Sequence, residues 1–194
     1  MSTFRSLFRA AFRLYRRVFR RRLDARTQAL MDTLEAVPAL QHVSTSALHT
    51  LAEAVHRRTY RRGEVIYHEG DPGLGLYIIE EGCVRLSVET EPGRARELRQ
   101  LRAPDMFGVL PILGDFHRLE TATTMTEVRV LGFFRPDLKN IVKRHPKAGV
   151  QLTTALARSV AAQHVELIQL LTEQQGRDTA LQIHTEATSK AAAE

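Results

Sequence analysis

Residues able to do chemistry occur between Phe107 and Ala122. There FGVLPILGDFHRLETA sets one arginine, Arg118, after a glycine-punctuated apolar run. A guanidinium is a planar fork of donors that suits a phosphate or carboxylate. Gly108, without a Cβ, lets the backbone come close to a bound group. Glu120 stands two residues beyond Arg118, so the arginine has two readings, as the ligand of a small anion or as the ion-pair partner of Glu120. Elsewhere the chemistry is sparse. His42, His49 and His56 recur at intervals of seven, whereas histidines sharing a metal on one helix face stand three or four apart. No metal site is expected. Neither a glycine-rich phosphate loop nor a nucleophile–histidine motif occurs, so no catalytic residue and no enzymatic activity are expected. The single cysteine, Cys83, excludes an internal disulfide, fits a reducing compartment and reads as a buried or edge thiol.

The elements that must position Arg118 are short strands. In RGEVIYHEGDPGLGLYIIEEGCVRL, from Arg62 to Leu86, the β-prone runs Val65–Tyr67 and Leu76–Ile79 are stopped by Glu69-Gly70-Asp71-Pro72-Gly73 and Glu80-Glu81-Gly82. Val84 and Leu86 then open an alternating run. Glycine and proline make these breaks turns, and strands at this spacing indicate an all-β sandwich or barrel. Alternation from Thr121 to Phe133 closes it. Upstream, Ala29, Leu30, Met31, Leu34 and Val37 read as helix ended by Pro38, and Ser44, Thr45 and Ser46 supply N-cap residues for a second helix through Val55. A chain of 194 residues can hold one such core with additional helices.

Charge is unevenly placed. Residues 1–26 carry nine arginines against one aspartate, a net of +8, so the remainder carries −2 of the overall +6. On a helical wheel Phe4, Phe8, Phe12 and Phe19 share one half with Leu7, Ala11, Leu14, Tyr15 and Val18. Arg5, Arg9, Arg13, Arg16, Arg17 and Arg20 share the other half. That pattern predicts a basic amphipathic helix lying in a membrane interface. A transit peptide, a calmodulin-type target, a helix on a nucleic-acid backbone and a helix packed on a neighbouring subunit share the chemistry. The arginines outnumber what a buried partner helix requires, so a membrane surface is the expectation. A membrane protein complex is the alternative, and nucleic acid is not an expected partner. No apolar run approaches the ~20 residues that span a bilayer. The expected location is cytoplasmic, peripheral to the inner face of a membrane.

The segment VPALQHVSTSALHTLAEAVHRRTYRRGEVIYHEGDPGLGLYIIEEGCVRL resembles the opening of a cyclic nucleotide-binding domain, as in bacterial catabolite activator proteins, protein kinase A regulatory subunits and gated ion channels. The resemblance rests on Val-Pro before a short helix, Gly-Glu entering the first strand pair, Glu69-Gly70-Asp71, and Gly82 before an alternating strand. It implies an eight-stranded β-roll (jelly-roll) flanked by helices, with the ligand held by a short phosphate-binding cassette. The family's cassette has Phe-Gly-Glu-Leu and an arginine eleven positions after the phenylalanine, the spacing of Phe107 to Arg118. Phe107, Gly108, Val109, Leu110, Arg118, Leu119, Glu120 and Thr121 are therefore the candidate ligand-binding residues. Arg118 takes the place of the arginine that pairs with the cyclic phosphate. Two residues depart from the pattern. Val109 stands where a glutamate accepts the ribose hydroxyl, and Glu120 stands where a small neutral residue is usual. No cofactor is required, and a cyclic nucleotide is the implied ligand.

Beyond the roll, Pro136–Val142 reads as a short helix ended at His145-Pro146. Leu152, Leu156, Val160, Leu167, Leu170 and Leu171 then form a stripe on a helix running to about Gln175, interrupted by Gly149. In the family this position belongs to a dimer helix, and Leu152, Leu156, Val160, Leu167 and Leu171 are the candidate seam of a parallel homodimer. The expected organisation is a basic helix over 1–26, helical linker over 27–58, mainly β roll over 59–134, helices over 135–175 and a polar loose tail over 176–194. The tail leaves no room for the helix-turn-helix domain of the family's transcription factors. The expected whole is a regulatory module tethered to a membrane that senses a small anion, or else an adaptor with a non-binding pocket.

Overall fold

The computed structural model describes residues 27–91 and 94–191. The basic helix expected over residues 1–26, with its phenylalanines and arginines, lies outside them.

Residues 27–36 are helical (α1) and a 3-10 turn follows at Pro38–Leu40. Helix α2, Thr45–Ala54, starts where the Ser44 side chain accepts a hydrogen bond from the backbone N–H of Ala47 at 3.4 Å, as its type and place predict. Eight strands come next among the described residues: β1 His56–Tyr60, β2 Val65–Tyr67, β3 Gly75–Glu81, β4 Cys83–Glu91, β5 Arg94–Arg102, β6 Met106–Phe107, β7 Thr121–Thr124 and β8 Val128–Phe134. Between β6 and β7 sits a four-residue helix, α3 (Leu110–Leu113). The strands form two antiparallel sheets, ordered β1-β8-β3-β6 and β2-β7-β4-β5. This is the expected β-roll. It begins three residues earlier than the sequence indicated. His56-Arg57-Arg58 belong to an edge strand whose polar side chains hide its pairing with β8, and Arg57 holds Glu80 through two hydrogen bonds of 2.5 Å.

The near-continuous apolar run of β3 has a physical reason, since the strand is buried on both faces. Leu76 and Ile78 face the helices, where with Leu131 and Phe133 of β8 they join Leu34, Val37, Leu48 and Leu51. Tyr77 and Ile79 face the inside of the roll with Val84, Leu101, Phe107, Val128 and Val130. Cys83 is buried, its Sγ 3.9 Å from Oε1 of Gln100.

After β8 come α4 (Arg135–Arg144), α5 (Pro146–Gln175) and α6 (Arg177–Ala191). Gly149 has a packing role. A Cβ there would lie 2.6 Å from Cα of Val142, so α4 and α5 touch backbone to backbone. Two expectations are corrected here. The segment 177–191, read as a loose tail from its polarity, is α6. It restarts after Gly176 with a bond from the N–H of Ala180 to the Gly176 carbonyl (3.1 Å) and buries Ala180 completely, and its alanines favour helix. The leucine stripe of α5 is not one seam. Leu152 and Leu156 are buried in this chain's own core and Val160 packs against it, whereas Leu167 and Leu170 are about half exposed. No helix among the described residues is long and apolar enough to cross a membrane.

Candidate functional site

Arg118 is carried by a loop laced to the β2–β3 turn. The N–H of Gly70 donates to the Arg118 carbonyl (2.9 Å), the N–H of Arg118 donates to the Asp71 carbonyl (2.9 Å), and the N–H of Gly73 donates to the Phe116 carbonyl (3.2 Å). Nδ1 of His117 lies 2.7 Å from the Gly70 carbonyl oxygen, and Asp71 closes its own turn by accepting from the N–H of His68 at 2.8 Å. The Glu69-Gly70-Asp71 turn, legible as a turn in the sequence, is thus the mount of the arginine.

The guanidinium points into the roll. Arg118 is 6% exposed. Its carbon sits 4.1 Å from the ring centre of Tyr67 and 5.7 Å from that of Tyr77, within the range of a cation–π contact. One Nη donates to the Gly108 carbonyl at 3.0 Å. Gly108 has φ +66, and a Cβ there would come within 2.3 Å of that Nη. The glycine is required both by its left-handed backbone and by the arginine lying on it. Phe107 completes the aromatic wall, its ring 5.5 Å from Tyr77 and 6.0 Å from Tyr67.

Arg118 and Glu120 do not pair. Glu120 instead accepts a hydrogen bond from the Tyr67 hydroxyl at 2.8 Å, and among the described residues no carboxylate lies within ion-pair distance of Arg118. Burial, and next the negative charge of Glu120, push the Tyr67 hydroxyl far above the usual tyrosine range. Burial likewise raises Tyr77.

Beside this cluster is a cavity of about 270 Å³, close to the low end of small-ligand pockets at roughly 300 Å³. Phe107, Gly108, Val109, Leu110, Arg118, Leu119 and Glu120 all line it. Thr121 is not among the lining residues; its hydroxyl accepts from the N–H of Glu69 at 3.0 Å. Val109 presents methyl groups and is also part of the core under the helices, so it offers no acceptor to a ligand hydroxyl. Arg99 of β5 and Gln163 of α5 reach the same space. A wider groove of about 480 Å³ runs between the 3-10 turn and α5, away from Arg118.

Sequence reasoning missed two residues. Tyr67 read as one more β-prone residue, although an inward tyrosine hydroxyl demands a partner. Arg135 lies at the start of α4 and donates to the carbonyls of Pro111 (2.9 Å), Gly73 (3.2 Å) and Gly114 and to the carboxylate of Asp115. That contact holds the Asp115 carboxyl below its ordinary range, through the hydrogen bond first and the charge second. Arg135 therefore ties the loop that carries Arg118 to the helices. Its signal, an arginine before Pro136 at a helix start, is too common to single out.

The cyclic nucleotide-binding domain family model matches residues 57–145. A CRP-like cAMP-activated global transcriptional regulator of Mycobacterium tuberculosis is 34% identical over 131 residues, covering 68% of this chain and 58% of that protein. The cyclic AMP receptor protein of Thermus thermophilus is 32% identical over 111 residues, covering 57% and 51%. The chain thus spans little more than half the length of these relatives. Among solved structures, the N-terminal domain of a transcriptional regulator from Streptomyces coelicolor A3(2) superposes with a TM-score of 0.62 at 27% identity, over 70% of this chain and 94% of that one. The roll, the arginine at its spacing and these matches agree: residues 57–145 belong to the cyclic nucleotide-binding domain family.

Proposed function

We propose that the chain is a non-enzymatic regulatory module whose roll takes a small anion on Arg118 and passes the occupied state through Arg135 to α4 and α5. The observation that carries this reading is a buried guanidinium lining a cavity with no carboxylate in ion-pair reach among the described residues. A buried cation without a counter-ion is costly, and an anion in the cavity relieves that cost. The relatives named for cyclic AMP make cyclic nucleotides the first ligands to test. Titration calorimetry of the full chain with cyclic AMP and cyclic GMP should give heat that Arg118→Ala removes. No heat up to millimolar ligand rejects the sensor.

Two further parts complete the proposal. The arginines of residues 1–26 hold the chain at an anionic membrane surface, each contributing about 1 kcal/mol near such lipid. Flotation with anionic liposomes should be lost when residues 1–23 are removed, and equal flotation of both forms overturns the tether. The exposed part of α5 around Leu167 and Leu170, with the half-buried Leu171 beside them, pairs with a second copy, which Leu167→Glu should dissociate in sedimentation.

A second reading is favoured by Val109 and by the Tyr67–Glu120 bond, which remove one acceptor and add one negative group at the cavity. A missing partner for a ribose hydroxyl costs on the order of 1–3 kcal/mol. In this reading the roll binds no nucleotide and the chain is an adaptor docked into a membrane protein complex through its Arg/Phe-rich segment.

A further inference from the structure

Helices α5 and α6 fold back on each other at Gly176, and little apolar surface holds them together. Ala180 is the buried residue of α6 among those described, while Leu181 and Ile183 stay 43% and 40% exposed. Where the helices meet, two histidines face each other. Nε2 of His164 lies 3.2 Å from Nδ1 of His184, with ring centres 5.1 Å apart and planes inclined by 51°. Neither ring belongs to the Arg118 site.

One ring donates a hydrogen bond to the other, the tautomers deciding which. The same separation suits a metal. Two imidazole nitrogens bound tetrahedrally at 2.0–2.1 Å stand about 3.3 Å apart. The helices therefore already hold the two rings at ligand spacing, and a shared metal requires rotation about the side-chain bonds to converge both lone pairs on one point. His164 is exposed and His184 partly so, leaving room for water in the remaining coordination positions. Among the described residues no group of three or more histidine, cysteine or acidic side chains gathers to hold a metal, so the protein supplies two ligands, both nitrogen. Nitrogen donors select borderline transition cations over calcium and magnesium, which take oxygen.

We propose that His164 and His184 form a two-imidazole site for a divalent transition cation of the Zn2+, Ni2+ or Cu2+ class, which staples α6 to α5. His164 binds through Nε2 and His184 through Nδ1, and each ring keeps its proton on the other nitrogen. Because neither residue has a turn-spaced partner on its own helix, the pair exists only when α6 is docked. Cation binding and docking are then linked, and the bound metal stabilises the hairpin.

The test uses the full chain freed of metal with a chelator. Titration with Zn2+ should show one equivalent bound, with no heat from Mg2+. His164→Ala and His184→Ala should each weaken Zn2+ binding by about tenfold or more, with the double variant no weaker than either single one. His42→Ala should bind as the parent does. Zn2+ should raise the Tm of the parent and of His42→Ala but not of the other variants, each measured against its own metal-free melting. Absence of Zn2+ binding by the parent overturns the site, as does unchanged affinity in either single variant.

Discussion

The two faces of β3 bury different chemistry. Outward, Leu76 and Ile78 meet aliphatic side chains from α1, α2, α4 and α5, a dense layer without an ionised group. Inward, Tyr77 shares its space with Tyr67, Phe107 and the guanidinium of Arg118. The outer layer supplies burial, and the inner one spends part of its burial on holding a cation beside a cavity. Both sides of the strand are packed, but only the inner side holds a buried cation beside a cavity, and substitutions on the two sides should fail in different ways.

The largest effect should come from the outer side. Leu152, 1% exposed, packs there, and Leu152→Ala should lower unfolding free energy by about 2–5 kcal/mol in urea. The environment of the roll tyrosines should be preserved in near-ultraviolet circular dichroism. A change in that signal equal to the loss of stability would break the division. Gly108→Ala should do the reverse. It costs roughly 1–2 kcal/mol for the left-handed backbone, and its methyl expels the guanidinium, so the tyrosine signal and any anion binding should be lost.

Tyr67→Phe comes next, at about 1 kcal/mol for the bond to Glu120. It should also change the alkaline limb of stability. The folded-state ionisation of Tyr67 is raised, so its contribution is complete below the unfolded value of about 10 and falls away as the pH rises beyond it. Unfolding followed from pH 8 to 11 should show a decline that Tyr67→Phe flattens. The smallest effect belongs to Asp115, whose side chain is 96% exposed. Asp115→Asn should leave the urea midpoint unchanged near neutral pH, whereas Arg135→Ala, which gives up three carbonyl contacts, should lower it measurably.

What could be read from the sequence follows this division. The roll was legible because glycine and proline interrupt β-prone runs at fixed places, and the Phe107–Arg118 spacing marked the loop. The start of the roll was not, since β1 is an edge strand of charged residues stabilised by partners in β3 and β8. Composition misjudged α6, where polarity suggested a tail but alanine propensity and one buried contact at Ala180 sustain a helix. Nor can periodicity separate Leu152 and Leu156 from Leu167 and Leu170. All recur on one helix face, and only the length of the domain beneath decides which are covered. The relation of Arg118 to Glu120 depended on a third side chain, Tyr67, brought across 53 positions by sheet pairing.

The contact of Gly149 with Val142 gives α5 a mechanical character. At that crossing the backbone of Val142 and its Cγ2 methyl both lie against Gly149, so a tilt of α4 bears directly on the base of α5. From Gly149 to Gln175 that helix is a rod of roughly 40 Å. A tilt of about 5° at its base sweeps the far end through about 3.5 Å. Arg135 ties the loop around Arg118 to the start of α4, so under the proposed function a displacement too small to disturb the roll would be magnified where α6 begins.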